Sequence, residues 1–220
     1  MPIVVKNHGL TIIMFAIFAL SAIGLSFTGW NNYNNDQQEH GEQPVGYVEY
    51  LASPDFGEAL TENWESEFLQ MGMYVLLTAF LFQRGSAESK DPDKKEEVDD
   101  DGEDKKNDRD APWPVRQGGI VLALYRHSLS ISLLLLFALS FALHAITGAA
   151  EYSQSELAHG GQPVTAIGYL FTSRFWFESL QNWQSEFLAV GMLVVLSIVL
   201  RQQGSPESKP VGAPDHQTGE

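Results

Sequence analysis

The sequence predicts an all-α integral membrane protein with four transmembrane helices, arranged as two parallel-repeat helical hairpins. Three observations carry that prediction: a block that occurs twice, apolar runs of membrane-crossing length, and basic residues confined to one side of those runs. The averages alone suggest an acidic soluble protein, with 220 residues, 44% hydrophobic, 19% charged and a formal net charge of -15. They mislead because apolar and charged residues fall in separate blocks. With no cysteine, disulfide frameworks, thiolate catalysis, cysteine-ligated zinc and thiolate-held iron–sulfur clusters are excluded. The acidic balance argues against nucleic-acid binding, which needs a basic face.

The block recurs in gapless register at an offset of 119 residues, with about 35 identities in about 85 aligned positions. His8 falls on His127, Thr28-Gly29 on Thr147-Gly148, Tyr33 on Tyr152, and His40-Gly41 on His159-Gly160. Asn63-Trp64-x-Ser66-Glu67-Phe68-Leu69 falls on Asn182-Trp183-x-Ser185-Glu186-Phe187-Leu188, and Gly72 on Gly191. Gln83-x-Gly85-Ser86-x-Glu88-Ser89-Lys90 falls on Gln202-x-Gly204-Ser205-x-Glu207-Ser208-Lys209. Repeat 1 therefore occupies residues 1–87, an acidic linker 88–118, repeat 2 residues 119–209, and a tail 210–220.

Each repeat reads as an apolar run, a polar loop and a second apolar run. Leu10 to Gly29 has no charged residue and is long enough to cross the hydrocarbon core as a helix. Its copy, Leu129 to Ala150, carries His144. The second runs, Phe68 to Phe82 and Phe187 to Leu200, fall short of a span. Starting these helices near Asn63 and Asn182, with Trp64 and Trp183 at the headgroup level, makes up the difference. A soluble bundle is the alternative, but Ile131 to Leu143 is apolar on every face rather than along one stripe. The first run also resembles a signal peptide. Its internal copy cannot be one, and by symmetry the first run is read as a retained span.

Two spans per repeat give both copies the same orientation, related by an axis along the membrane normal. Lys6, Arg84, Lys90, Arg116, Arg126, Arg201, Lys209 and the linker bases share one side, whereas Arg174 alone lies in the outer loops 30–66 and 151–186. Retention of basic residues in the cytoplasm then places both termini and the linker inside a bacterial cytoplasmic membrane. The linker, rich in Asp91-Pro-Asp-Lys-Lys and Asp99-Asp-Asp-Gly-Glu, is expected to be disordered for want of apolar residues. The tail is expected to behave likewise. Asp99 to Asp104 lacks the alternation of a calcium loop. In the outer loops, His40-Gly-Glu-Gln-Pro and His159-Gly-Gly-Gln-Pro are turn compositions, each followed by an aromatic segment expected as a short interfacial helix.

The sharpest candidate site is the doubled Asn-Trp-x-Ser-Glu-Phe. Asn63 shares a helical face with Glu67, and Asn182 with Glu186. Parallel repeats bring these faces together as a polar vestibule able to bind a proton or cation, since a carboxylate near lipid needs a wet cavity or a partner. Against this stands a simpler role in which both glutamates sit in the outer headgroup layer near the helix N-terminal end. Gly72 and Gly191 are read as close-packing points. His40 and His159 are read as turn residues rather than ligands, His8 and His127 as inner-interface residues, and His144 as an interhelical hydrogen-bonding group. No metal or other cofactor is expected, and no phosphate loop, nucleophile elbow or His-Glu-x-x-His motif points to catalysis.

With Asn-Trp-x-Ser-Glu-Phe-Leu, Gln-Arg-Gly-Ser-Ala-Glu-Ser-Lys and their second copies, the chain resembles a family of small bacterial multipass membrane proteins classed as a domain of unknown function. That resemblance implies four spans and no established activity. The expected role is a non-enzymatic envelope or assembly component working through its outer loops or acidic linker, with the lipid bilayer and a protein partner or second copy as its contacts. The alternative is a small channel or transporter for a proton or cation, using the paired carboxylates.

Overall fold

The computed structural model describes residues 3–219, and all regular structure among them is helical. The helices are α1 (Ile3–Glu39), α2 (Tyr47–Leu51), α3 (Pro54–Thr78), α4 (Trp113–Gln117), α5 (Gly119–Arg126), α6 (Ser128–Ala158), α7 (Ala166–Tyr169) and α8 (Ser173–Leu196). The ends of α1 and α6, the starts of α2 and α7, and the starts of α3 and α8 each lie 119 residues apart. Helices α1 and α6 are long and apolar enough to cross a membrane. Helices α3 and α8 are long enough but not apolar enough, so the expectation of four spans is met by two helices only. The cause is composition. Both helices begin far upstream of their apolar runs and carry charged and polar residues there, chiefly acids in α3 and Ser, Gln and Asn in α8, and they stop at Thr78 and Leu196 before the runs end.

The chain divides into two compact units. The first comprises residues up to Leu60 with Ala145–Tyr169. Here α1 and α6 end in the same way. Gly41 and Gly160 take left-handed backbone (φ 75° and 77°), the conformation glycine adopts without a Cβ penalty. The Gly41 and Glu42 amides donate to the Gln38 and Gln37 carbonyls, and those of Gly160 and Gly161 to Leu157 and Glu156. This is the Schellman closure of orphan carbonyls. The returning chain is tied to the helix at equivalent points. Val45 exchanges hydrogen bonds with the Asn34 side chain, and Val164 with the Ser153 hydroxyl. Tyr50 and Tyr169, at the ends of the short aromatic helices, are almost fully buried. They pack at a tilt against Tyr33 and Tyr152, with centroids 5.6 and 5.7 Å apart. Each presses on a repeated glycine: a Cβ on Gly29 would collide with the Tyr50 hydroxyl, and one on Gly148 would lie 2.5 Å from Tyr169 Cε1.

The second unit comprises Thr61–His144 and residues from Leu170 onward. Helix α3 meets α6 at Gly72, where a Cβ would stand 3.1 Å from Leu134 Cδ2. It meets α8 through Gln70, whose Nε2 donates to the Glu186 carbonyl at 3.0 Å. The signature after each of these helices folds as the same loop. Ser89 and Ser208 hydroxyls accept from the Gln83 and Gln202 amides (2.9 and 2.8 Å), and Ser86 and Ser205 accept from the Glu88 and Glu207 amides.

Residues 88–118 and 210–219 run as turns and short helical segments. Two 3-10 turns, Glu97–Asp99 and Glu103–Lys105, are fixed by aspartate side chains and by the Lys90–Asp99 and Lys105–Asp100 pairs rather than by apolar burial. Tail residues fold over the first loop. Lys209 Nζ donates to the carbonyls of Gly85, Asp215 and Gln217, and Thr218 and Gly219 bond Gly85 and Ser86.

Candidate functional site

The repeated polar residues divide by exposure. Asn63 and Glu67 on α3 are exposed, whereas Asn182 and Glu186 on α8 are half-buried. The carboxylates of Glu67 and Glu186 are close enough to repel each other. The serines of the motif are spent locally, Ser66 and Ser185 each donating to the carbonyl three residues back at 2.8 Å. Gly72 has Leu133 and Leu134 against it. A Cβ on Gly191 would meet nothing within 4 Å, so the matching contact on α8 is not formed. His40 and His159 serve the helix ends: each Nδ1 donates to a carbonyl four residues back, at 2.9 and 2.8 Å. That hydrogen bond and the adjacent Asp36 carboxylate raise the His40 pKa. In the same unit, burial and the neighbouring Asp55 push the Tyr50 phenol up to about 12.

The buried ionisable groups of the second unit lie elsewhere. Glu65, two residues before Glu67 in chain order, points to the opposite side of α3 and is fully buried, as is His144. His144 Nδ1 lies 2.7 Å from Glu65 Oε2, and Trp183 Nε1 donates to Glu65 Oε1 at 3.1 Å. On the other side of the ring, His144 Nε2 is 3.4 Å from Glu178 Oε2, while Arg174 Nε donates to Glu178 Oε1 at 2.6 Å. Phe175 stacks on the imidazole at 4.8 Å and is itself buried, shielding the cluster. The reading of His144 as an interhelical hydrogen-bonding group agrees with this geometry, since its partners come from α3 and α8.

Glu65 and Glu178 were not visible as site residues in the sequence because the second copy does not repeat them. Their equivalents are Gln184 and Ala59, and that of His144 is Leu25. The signal that would have found them is an ionisable residue in one copy opposite an uncharged residue in the other. Such a cluster can hold its three helices in register. It can also bind a cation or a proton, since buried ionisable groups are costly unless paired.

No curated protein and no solved structure matches the chain. A family model covers residues 1–220 from end to end, that of the domain of unknown function DUF6766. The chain belongs to that family.

Proposed function

We propose that this chain is a multipass protein of a bacterial cytoplasmic membrane, without catalytic activity, that works as an envelope or assembly component by docking a partner on its outer segments or acidic linker. The observation that carries the membrane part is the apolar surface of α1. Of its described side chains Ser26 alone is buried, and Leu10, Phe15 and Leu20 each expose more than two-thirds of their surface. A face of that kind is unfavourable in water and at home in hydrocarbon. On this reading α3 and α8 cross as well. At 25 and 24 residues each extends about 36 Å, beyond the roughly 30 Å hydrocarbon core. The polar side of α3 at Glu65, Ser66 and Gln70 is buried within protein rather than turned to lipid. The basic residues then put both termini and the linker in the cytoplasm.

Membrane fractionation with reporter fusions tests the placement. The chain is expected to resist alkaline carbonate extraction, with fusions after Glu220 reporting inside and fusions at Glu42 and Gly161 reporting outside. Extraction into the soluble fraction, or an outside carboxyl end, would overturn it. The docking role is tested by in vivo crosslinking from Val48 and Ile167, both exposed on the short aromatic helices. A discrete adduct that survives deletion of the linker assigns docking to the outer segments, and its loss assigns docking to the linker.

A second reading, a proton or cation pathway, is favoured by the electrostatic proximity of Glu67 and Glu186. Liposome flux that falls in Glu67→Gln plus Glu186→Gln supports it, and background flux in both parent and variant rejects it for the ions tested.

A further inference from the structure

We propose that α4 and α5 form an in-plane anchor on the inner leaflet of the lipid bilayer, with the exposed face of α5 sunk into the boundary between headgroups and acyl chains. The inference deepens the membrane reading above and rests on it, naming lipid as what covers this face. Ile120, Val121, Leu124 and Tyr125 each expose between 37% and 80% of their surface. At 3.6 residues per turn they fill one continuous arc of about 140°, with no charged side chain among them. Leu122, beyond that arc, is buried, as is Val115 on α4. Helix α5 is therefore seated on protein by one side and bare on the other, as in a helix that lies in an interface.

The position of α5 in the chain says what the bare side meets. Helix α5 ends at Arg126 and α6 starts at Ser128. The apolar run of α6 from Leu129 to Ala150 extends about 33 Å as a helix, close to the thickness of the hydrocarbon core, which puts Leu129 at the inner edge. Leu129 is itself 61% exposed, so the bare surface of α5 runs on into that of α6. Trp113 and Tyr125, both exposed, carry the ring chemistry favoured at the headgroup level. Arg116 and His127, also exposed, supply cationic and polar groups beside them. An α5 standing free in the cytoplasm would hold its four apolar side chains in water. The anchor also ties down part of the acidic linker, because Arg126 Nε donates to the Asp101 carbonyl and its Nη2 to Glu103 Oε1, both at 2.9 Å.

The chain has no cysteine, so single substitutions can carry a nitroxide label at chosen points of the full chain, reconstituted in vesicles of zwitterionic lipid. Leu135→Cys, exposed within the apolar run of α6, reports on the span, and Asp108→Cys, exposed in the linker, reports on water. Labels at Ile120→Cys and Leu124→Cys are expected to collide with oxygen more than with a water-soluble nickel chelate, the reverse of Asp108→Cys. Their depth should be about 5–10 Å, shallower than that of Leu135→Cys. Labels on α5 that are open to nickel, or shielded from both reagents as in a contact with a second copy, would overturn the anchor, while a lipid-facing Leu135→Cys leaves the span standing. A water-exposed Leu135→Cys would overturn both. If either α5 variant loses helix content by circular dichroism, Tyr125→Cys on the same arc gives the reading.

Discussion

The outer turns around His40–Val45 and His159–Val164 can be set beside the buried cluster of Glu65, His144 and Glu178. In the turns the two copies differ in sequence only at Glu42 and Gly161 and agree in backbone: the same glycine conformation, the same histidine-to-carbonyl contact, and a tie to valine from the equivalent positions Asn34 and Ser153. In the cluster every member stands opposite an uncharged residue of the other copy, Gln184, Leu25 or Ala59. A backbone that must reverse direction admits few solutions, because each exposed end group needs a partner. An interior position needs only volume and satisfied polar atoms, so one copy can carry charge where the other carries leucine or alanine.

The comparison is broken most severely at His144. His144→Leu leaves Glu65 and Glu178 without the ring that joins them, and an uncompensated buried charge costs about 3–5 kcal/mol. The informative control replaces the whole cluster with the residues of the other copy: Glu65→Gln, His144→Leu and Glu178→Ala together. This triple variant is expected to be more stable than His144→Leu alone, since removing every member of a buried charged group is commonly near neutral. Denaturant titration in micelles, followed by circular dichroism, reads both. A triple variant less stable than the single one would mean that the cluster is not a closed unit.

Next in size are the two glycines under the buried tyrosines. Gly29→Ala and Gly148→Ala are each expected to cost about 1–3 kcal/mol through overpacking, but they differ in rescue. At Gly29 the atom struck first is the Tyr50 hydroxyl, so Tyr50→Phe relieves part of the clash; at Gly148 it is a ring carbon of Tyr169, so Tyr169→Phe relieves none. Thermal unfolding of the two double-mutant pairs separates these outcomes. Equal rescue at both sites would contradict the geometry.

Much of this was legible in the sequence, and the division is physical. The long helices and the turns at His40 and His159 follow from hydropathy and turn composition. The cluster was hidden because searching for identities discards the differing positions, and Glu65 is visible only once the helix phase places it opposite Glu67. From sequence, α3 and α8 start near Asn63 and Asn182, just ahead of the apolar runs that begin at Phe68 and Phe187. The helices actually begin at Pro54 and Ser173 and carry their acids with them. The linker turns leave no hydropathy signal, because they close through carboxylate-to-amide bonds rather than through burial.

The repeated loops sharpen the comparison at a smaller scale. Ser89→Ala and Ser208→Ala each remove the acceptor for a glutamine amide, a loss of about 1 kcal/mol where the site is dry. Ser89 is buried and Ser208 half-buried, so the first substitution should speed hydrogen exchange at Gln83 more than the second does at Gln202. The smallest effect concerns charge. Asp99 is held below the usual carboxylate range, first by the Lys90 ammonium at 2.6 Å and then by the Glu96 amide. A lowered carboxylate pKa contributes stability above the unfolded value near pH 4, and that contribution is lost as pH falls through the folded value. Carboxyl-carbon NMR titration should therefore give Asp99 a midpoint below that of a free aspartate, and Lys90→Gln should move it back upward. Lys209, at the equivalent position, bonds backbone carbonyls instead of a carboxylate. Lys209→Gln should leave the Asp99 midpoint in place while freeing the tail from Gly85, and a shift of Asp99 in both variants would mean that the two loops titrate as one.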